Sequence, residues 1–89
     1  MNDAKAIRVF LVDDQTLVRQ GIRSLLALAD DIEVVAEASD GRQAVEQIPQ
    51  VQPDVVLMDM RMPTMSGLEA LQALSAAGKL PPAIILTTF

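Results

Sequence analysis

Carboxylates are the groups this sequence offers for chemistry. Its 89 residues include no His and no Cys. That removes the commonest general base and the imidazole and thiolate metal ligands. Asp, Glu, hydroxyls, Lys and Arg remain. Three Asp residues stand out by where they fall: Asp13 and Asp14 close the apolar run Ile7–Val12, and Asp59 closes the run Val55–Met58. Another short run, Ala83–Leu86, closes on Thr87 and Thr88. Carboxylates gathered in one place repel one another unless a cation sits among them. An all-oxygen set suits Mg2+, which takes carboxylates, waters and phosphate oxygens. Such an ion also neutralises charge on an incoming phosphoryl group, so one carboxylate can act as nucleophile and become an acyl phosphate. Thr87 is placed to hydrogen-bond a phosphoryl oxygen. Taken singly, an Asp after a strand reads equally as a helix cap or a turn residue. That alternative is stronger for Asp14 than for Asp59, because Met60-Arg61-Met62-Pro63 is not an immediate helix start. The conjunction of all these positions favours a shared acidic site.

The elements that must position these residues follow from the apolar pattern. Ile7–Val12 is short, rich in β-branched residues and apolar on both faces, as in a parallel sheet. Asp14-Gln15-Thr16 is expected to cap a helix carrying Leu17, Gly21, Ile22, Leu25, Leu26 and Ala29 at helical spacing, with Asp30-Asp31 ending it. Val34–Ala38 reads as the second strand. Ser39-Asp40-Gly41 is a turn before a short helix with Ala44, Val45 and Ile48, and Pro49 is expected at or past its end. Pro53-Asp54 opens the strand Val55–Met58. A loop over 62–67 leads into a helix with Leu68, Leu71 and Leu74, which Gly78 suits as a C-terminal cap. Pro81-Pro82 precedes the last strand. The order βαβαβαβ means parallel pairing with right-handed crossovers. In such sheets ligands bind beyond the carboxyl ends of the strands. If the first and third strands are neighbours, Asp13, Asp14 and Asp59 converge.

Composition narrows the classes further. Hydrophobic residues make up 51% of the chain, with only two Phe and no Trp or Tyr, so the expected core is aliphatic. The net charge of −5 argues against a basic patch for nucleic acid or anionic lipid. No apolar run reaches the roughly 18–20 residues of a membrane span, and no signal-peptide core precedes the first strand. The expectation is one domain, residues 1–89, of a soluble cytoplasmic protein. Arg19 and Arg23 read as a solvated helix face. Met58 reads as core, and Met60, Met62 and Met65 as packing around a loop. Gly41 and Gly67 read as turn and helix-start residues, since no Gly-rich loop surrounds either.

The segments Val9–Gln15, Val55–Pro63 and Met65–Glu69 resemble the signature segments of response-regulator receiver domains. Leu17–Arg23 and Ile85–Phe89 resemble the subfamily that carries a LuxR/NarL-type DNA-binding helix-turn-helix. The resemblance covers essentially the whole chain. It implies a flavodoxin-like (CheY-like) doubly wound sheet with strand order 2-1-3-4. It implies that Asp59 is the phosphorylated aspartate, and that Asp13, Asp14, Asp59 and the backbone carbonyl of Arg61 hold Mg2+, with Asp14 a more direct ligand than Asp13. Thr87 matches the switch hydroxyl. The implied phosphoryl donor is a sensor histidine kinase, and DNA would be bound only through another domain.

The chain also departs from the family pattern. The fourth helix, fifth strand and fifth helix have no counterpart here, nor do the lysine and the aromatic switch residue that the family carries on its fifth strand. Neither Lys5 nor Lys79 stands at a matching position. The fourth strand is then expected to be an exposed edge, favouring a homodimer or an element-exchanged oligomer. Two alternatives follow: a module that only associates, without phosphotransfer, and a phosphohydrolase using a strand-end aspartate. The second requires another Asp two residues after its nucleophile, which neither Asp13 nor Asp59 has.

Overall fold

In a computed structural model, residues 6–62 and 64–86 are described. Thr87, one of the candidate site residues, lies outside them. The element order is β1 (Ile7–Val12), α1 (Thr16–Leu26), β2 (Ile32–Ala38), α2 (Gly41–Val51), β3 (Val55–Asp59), α3 (Gly67–Ala76) and β4 (Ala83–Leu86). The strands form one sheet in the order β2-β1-β3-β4, and every pairing is parallel. This is the expected α/β topology and order.

Burial follows the apolar pattern of the strands. Phe10, Val12, Val56 and Met58 lie under α2 and α3, where they meet Ala44, Ile48, Ala70 and Leu74 in an aliphatic core with a single aromatic. On the other face α1 covers β1 and β2, and Val9 and Leu11 are buried there. α1 itself buries no residue fully, and Leu17 and Leu25, expected on its apolar face, are exposed. Met62 is buried and Met65 packs against the core, so both serve the loop they flank.

Local chemistry explains the helix ends. Asp40 caps α2 by accepting the Gln43 N–H at 2.8 Å. Ser66 and Glu69 form a reciprocal capping box on α3. α3 ends in a Schellman motif: Gly78, at φ 68°, donates to the Ser75 carbonyl, and Lys79 donates to that of Leu74. Gly78 is therefore the expected cap.

Four expectations need correction. α1 stops at Leu26 with Ala27 as its C-cap, ahead of Ala29 and Asp30-Asp31. β2 begins at Ile32, ahead of the run Val34–Ala38, because Ile32 and Glu33 extend the pairing with Ile7 and Arg8. Pro49 lies inside α2, which continues to Val51. So near the C-terminus the single donor it lacks is tolerated, and Gln52 closes the helix in the left-handed region, its N–H reaching Ile48 O at 2.9 Å. No side chain of Asp14-Gln15-Thr16 caps α1, where Gln15 is the N-cap without a side-chain bond.

Candidate functional site

The acidic residues come together because β1 and β3 are neighbours in register. Val12 pairs with Met58, so the next residue along each strand, Asp13 and Asp59, stand side by side at the carboxyl edge. Asp13 N–H still bonds the Ala38 carbonyl of β2 at 3.2 Å. Each of these two aspartates then turns the chain by the same device. Oδ1 of Asp13 accepts the Gln15 N–H at 2.8 Å, and Oδ1 of Asp59 accepts the Arg61 N–H at 3.1 Å. In both, the carboxylate accepts from the backbone N–H two residues on, the bond of an Asx turn. Both residues are buried, at 1% and 3% exposure.

Asp14 is different. It makes no cap, and its Oδ1 is buried with no hydrogen-bond partner. Carboxylate oxygens of Asp13, Asp14 and Asp59 all lie within 4.8 Å of one another. Desolvation pushes the Asp13 carboxyl above its ordinary value of 3.8; the Gln15 N–H opposes this, Asp59 and Asp14 add to it, and Arg19 opposes it. Like charges gathered in a half-dry crevice, one oxygen of them unsatisfied, are what a cation would relieve. The donor set is hard oxygen only, which fits Mg2+. The three carboxylates therefore suit that ion.

Two glycines explain how the helices close on this edge. A Cβ on Gly67 would lie 2.3 Å from the Asp59 carbonyl oxygen. Gly67 N–H also bonds the Met60 carbonyl at 3.1 Å. The start of α3 thus sits directly on the backbone of the β3 terminus. A Cβ on Gly41 would lie 2.6 Å from the Met65 carbonyl oxygen, so α2 starts against the same loop. Gly67 is a helix-start residue, as the sequence suggested, and Gly41, expected in a turn, is the first residue of α2; the close approach is why each is Gly.

Arg19 is not on a solvated face, whereas Arg23 is exposed as expected and still reaches Glu37. Arg19 donates through Nε to Glu37 Oε1 at 3.0 Å and through Nη1 to the Asp13 carbonyl at 2.6 Å. Arg23 donates to the other Glu37 oxygen. Sequence reasoning missed Glu37 altogether. Its signal was a charge inside the apolar run Val34-Val35-Ala36-Glu37-Ala38, which needs a partner when half-buried.

The profile of the response regulator receiver domain matches residues 9–89. The chain belongs to this family. The nitrate/nitrite response regulator protein NarP of Escherichia coli is 45% identical over 87 residues, which are 98% of this chain and 40% of that protein. A protein-glutamate methylesterase/protein-glutamine glutaminase of Nocardioides is 43% identical over 82 residues, 92% of this chain and 22% of that one. Among solved structures, the signal receiver domain of the putative response regulator NarL from Mycobacterium tuberculosis superposes with a TM-score of 0.89 at 34% identity. That match covers 96% of this chain and 68% of the other. The receiver spans at most two fifths of these curated relatives, and they carry it in proteins with different named activities. A receiver is a signalling domain; the esterase activity named for one relative belongs to that protein. Among the described residues no helix is long and apolar enough to cross a membrane.

Proposed function

We propose that this receiver accepts a phosphoryl group on Asp59, with Asp13, Asp14, Asp59 and the main-chain carbonyl of Arg61 holding Mg2+. The observation that carries the reading is the convergence of three carboxylates within 4.8 Å, one oxygen of which is buried without a partner. Bound Mg2+ would supply charge neutralisation for the transferring phosphoryl group. The chain's own residues do the rest. The Arg61 N–H holds Oδ1 of Asp59, leaving Oδ2 as the attacking oxygen. Its lone pair forms the O–P bond while the bond from phosphorus to the donor breaks, and the donor keeps that electron pair. With a phosphohistidine donor the released imidazole nitrogen then takes a proton. Burial of Asp59 and Asp13 keeps bulk water from competing at the acceptor. Thr87 is assigned the hydroxyl that meets the phosphoryl group.

The partners we infer from the family are a sensor histidine kinase as donor and DNA through a separate domain, in line with the 34% identical DNA-binding response regulator of the LuxR family from Staphylococcus aureus. The cytoplasm is the compartment in which both would be met. Among the described residues β4 pairs with β3 alone, and Ile84 and Ile85 are exposed on it, which supports self-association through this edge. Association alone is the weaker reading, because it leaves the buried acidic cluster without a purpose.

Incubation with a small acyl phosphate and Mg2+, followed by intact-mass measurement, tests the proposal. The wild type should gain one phosphoryl group and Asp59→Asn none. Equal gain in both proteins, or none in either, would sink it. Sedimentation at micromolar concentration checks the association: a single monomeric species removes it.

A further inference from the structure

A second charged group reaches the acidic cluster without entering it. Arg19 lies in the first turn of α1. Its guanidinium forks between Glu37 on β2, at 3.0 Å, and the Asp13 carbonyl at the end of β1, at 2.6 Å. The Arg19 side chain is only 16% exposed and that of Glu37 22%, so this is not a surface pair held loosely in water. Arg23 donates to the second oxygen of Glu37 and so fixes the carboxylate from the outer side. The bonded carbonyl belongs to the peptide unit joining Asp13 to Asp14. That unit is planar. Holding its oxygen fixes the plane from which both carboxylates project. Gln15, the N-cap of α1, makes no side-chain bond of its own, and the Asp13 Oδ1 bond to the Gln15 N–H is the other tie on this segment.

We propose that Arg19, braced by Glu37, is a positioning residue that sets the Asp13–Asp14 peptide so that both carboxylates converge with Asp59. The inference rests on reading the cluster as a Mg2+ site. Outer partners that orient metal ligands typically change metal affinity by about 10–100-fold when removed.

Charge and geometry here have opposite signs. A guanidinium beside a cation site repels the cation, so if Arg19 were merely a nearby positive charge, its removal would tighten Mg2+ binding. As a positioning group, its removal weakens binding. Arg19→Lys separates the two further. It keeps the charge but loses the planar fork that serves two acceptors at fixed angles.

The test is calorimetric Mg2+ titration of the wild type, Arg19→Lys, Arg19→Met and Arg42→Gln; Arg42 is an exposed cation on α2. Both Arg19 variants should bind about tenfold more weakly, and Arg42→Gln should match the wild type within about twofold. A metal-free readout accompanies it. The Gln15 N–H donates to Asp13 Oδ1, and its hydrogen exchange should accelerate about tenfold in the Arg19 variants while Val12 and Val56 in the core strands keep their rates. Unchanged or tighter Mg2+ binding in Arg19→Met overturns the proposal. So does equal acceleration at Gln15, Val12 and Val56, which would mark a general loss of stability. If the wild type binds no Mg2+, the reading of the cluster fails by itself, and the Gln15 exchange rate still decides whether Arg19 orders this segment.

Discussion

The β1–β3 pair has two ends, and the same residue types are used in opposite ways at each. At the amino end, Asp54 and Arg8 bond one another twice. Arg8 N–H donates to Asp54 Oδ2 at 2.8 Å, and Asp54 N–H donates to the Arg8 carbonyl at 2.8 Å. The Arg8 guanidinium then closes the C-terminus of α2 through the Gln52 and Val51 carbonyls, at 2.7 and 3.0 Å, where a cation is favoured by the helix dipole. At the carboxyl end, Asp13, Asp14 and Asp59 crowd together with one oxygen unpartnered. One end holds the fold together. The other holds charges the fold would be more stable without, which is the pattern of a binding site.

The largest expected effect is at the carboxyl end. Asp14→Ala should weaken Mg2+ binding by about 100-fold or more, measured by calorimetry, because it removes a ligand outright. It should leave urea stability unchanged or slightly raised. Next is the amino end. Arg8→Ala should cost about 2 kcal/mol in urea unfolding, since it frees two helix-end carbonyls from charge-assisted bonds, with Mg2+ affinity unaltered. Loss of Mg2+ binding in Arg8→Ala would break the division between the ends.

The smallest effect sharpens it. The folded state raises the Asp13 carboxyl above its ordinary value of 3.8, so it binds a proton more tightly than the unfolded chain does. Metal-free stability should then fall as pH rises from about 3.8 through the folded value, and be lowest above it. Asp13→Asn should flatten this slope and stabilise the metal-free protein at neutral pH by on the order of 1 kcal/mol. Saturating Mg2+ should reverse the ranking, because only the wild type keeps the ionised ligand. Urea melts across pH, with and without Mg2+, check both signs; a slope unchanged in Asp13→Asn would remove Asp13 as its source.

The strands and their terminal carboxylates were legible because hydrophobic runs broken by Asp carry both the element and its end. Strand order followed from the family resemblance and gave the convergence. The Arg19–Glu37 fork was not legible, since its partners are 18 residues apart on different elements and no spacing rule links them. The Arg8–Asp54 clamp, 46 residues apart, hid for the same reason. Asp14 was ambiguous because a cap and a ligand look alike until hydrogen bonds are counted. Pro49 misled because helix-breaking depends on whether a turn remains to be bonded, which composition does not show.

The clearances at the glycines also set how freely this domain can vary. A methyl group at position 67 or 41 would have to occupy space already filled by the Asp59 or Met65 carbonyl oxygen. Gly21, on α1, has nothing within 4 Å of where a Cβ would stand. In a saturation library, positions 41 and 67 should therefore retain Gly alone. Position 21 should accept Ala and gain about 1 kcal/mol of helix propensity. The backbone behind the acceptor thus leaves no room for a side chain, while the Gly21 face of α1 is open to drift.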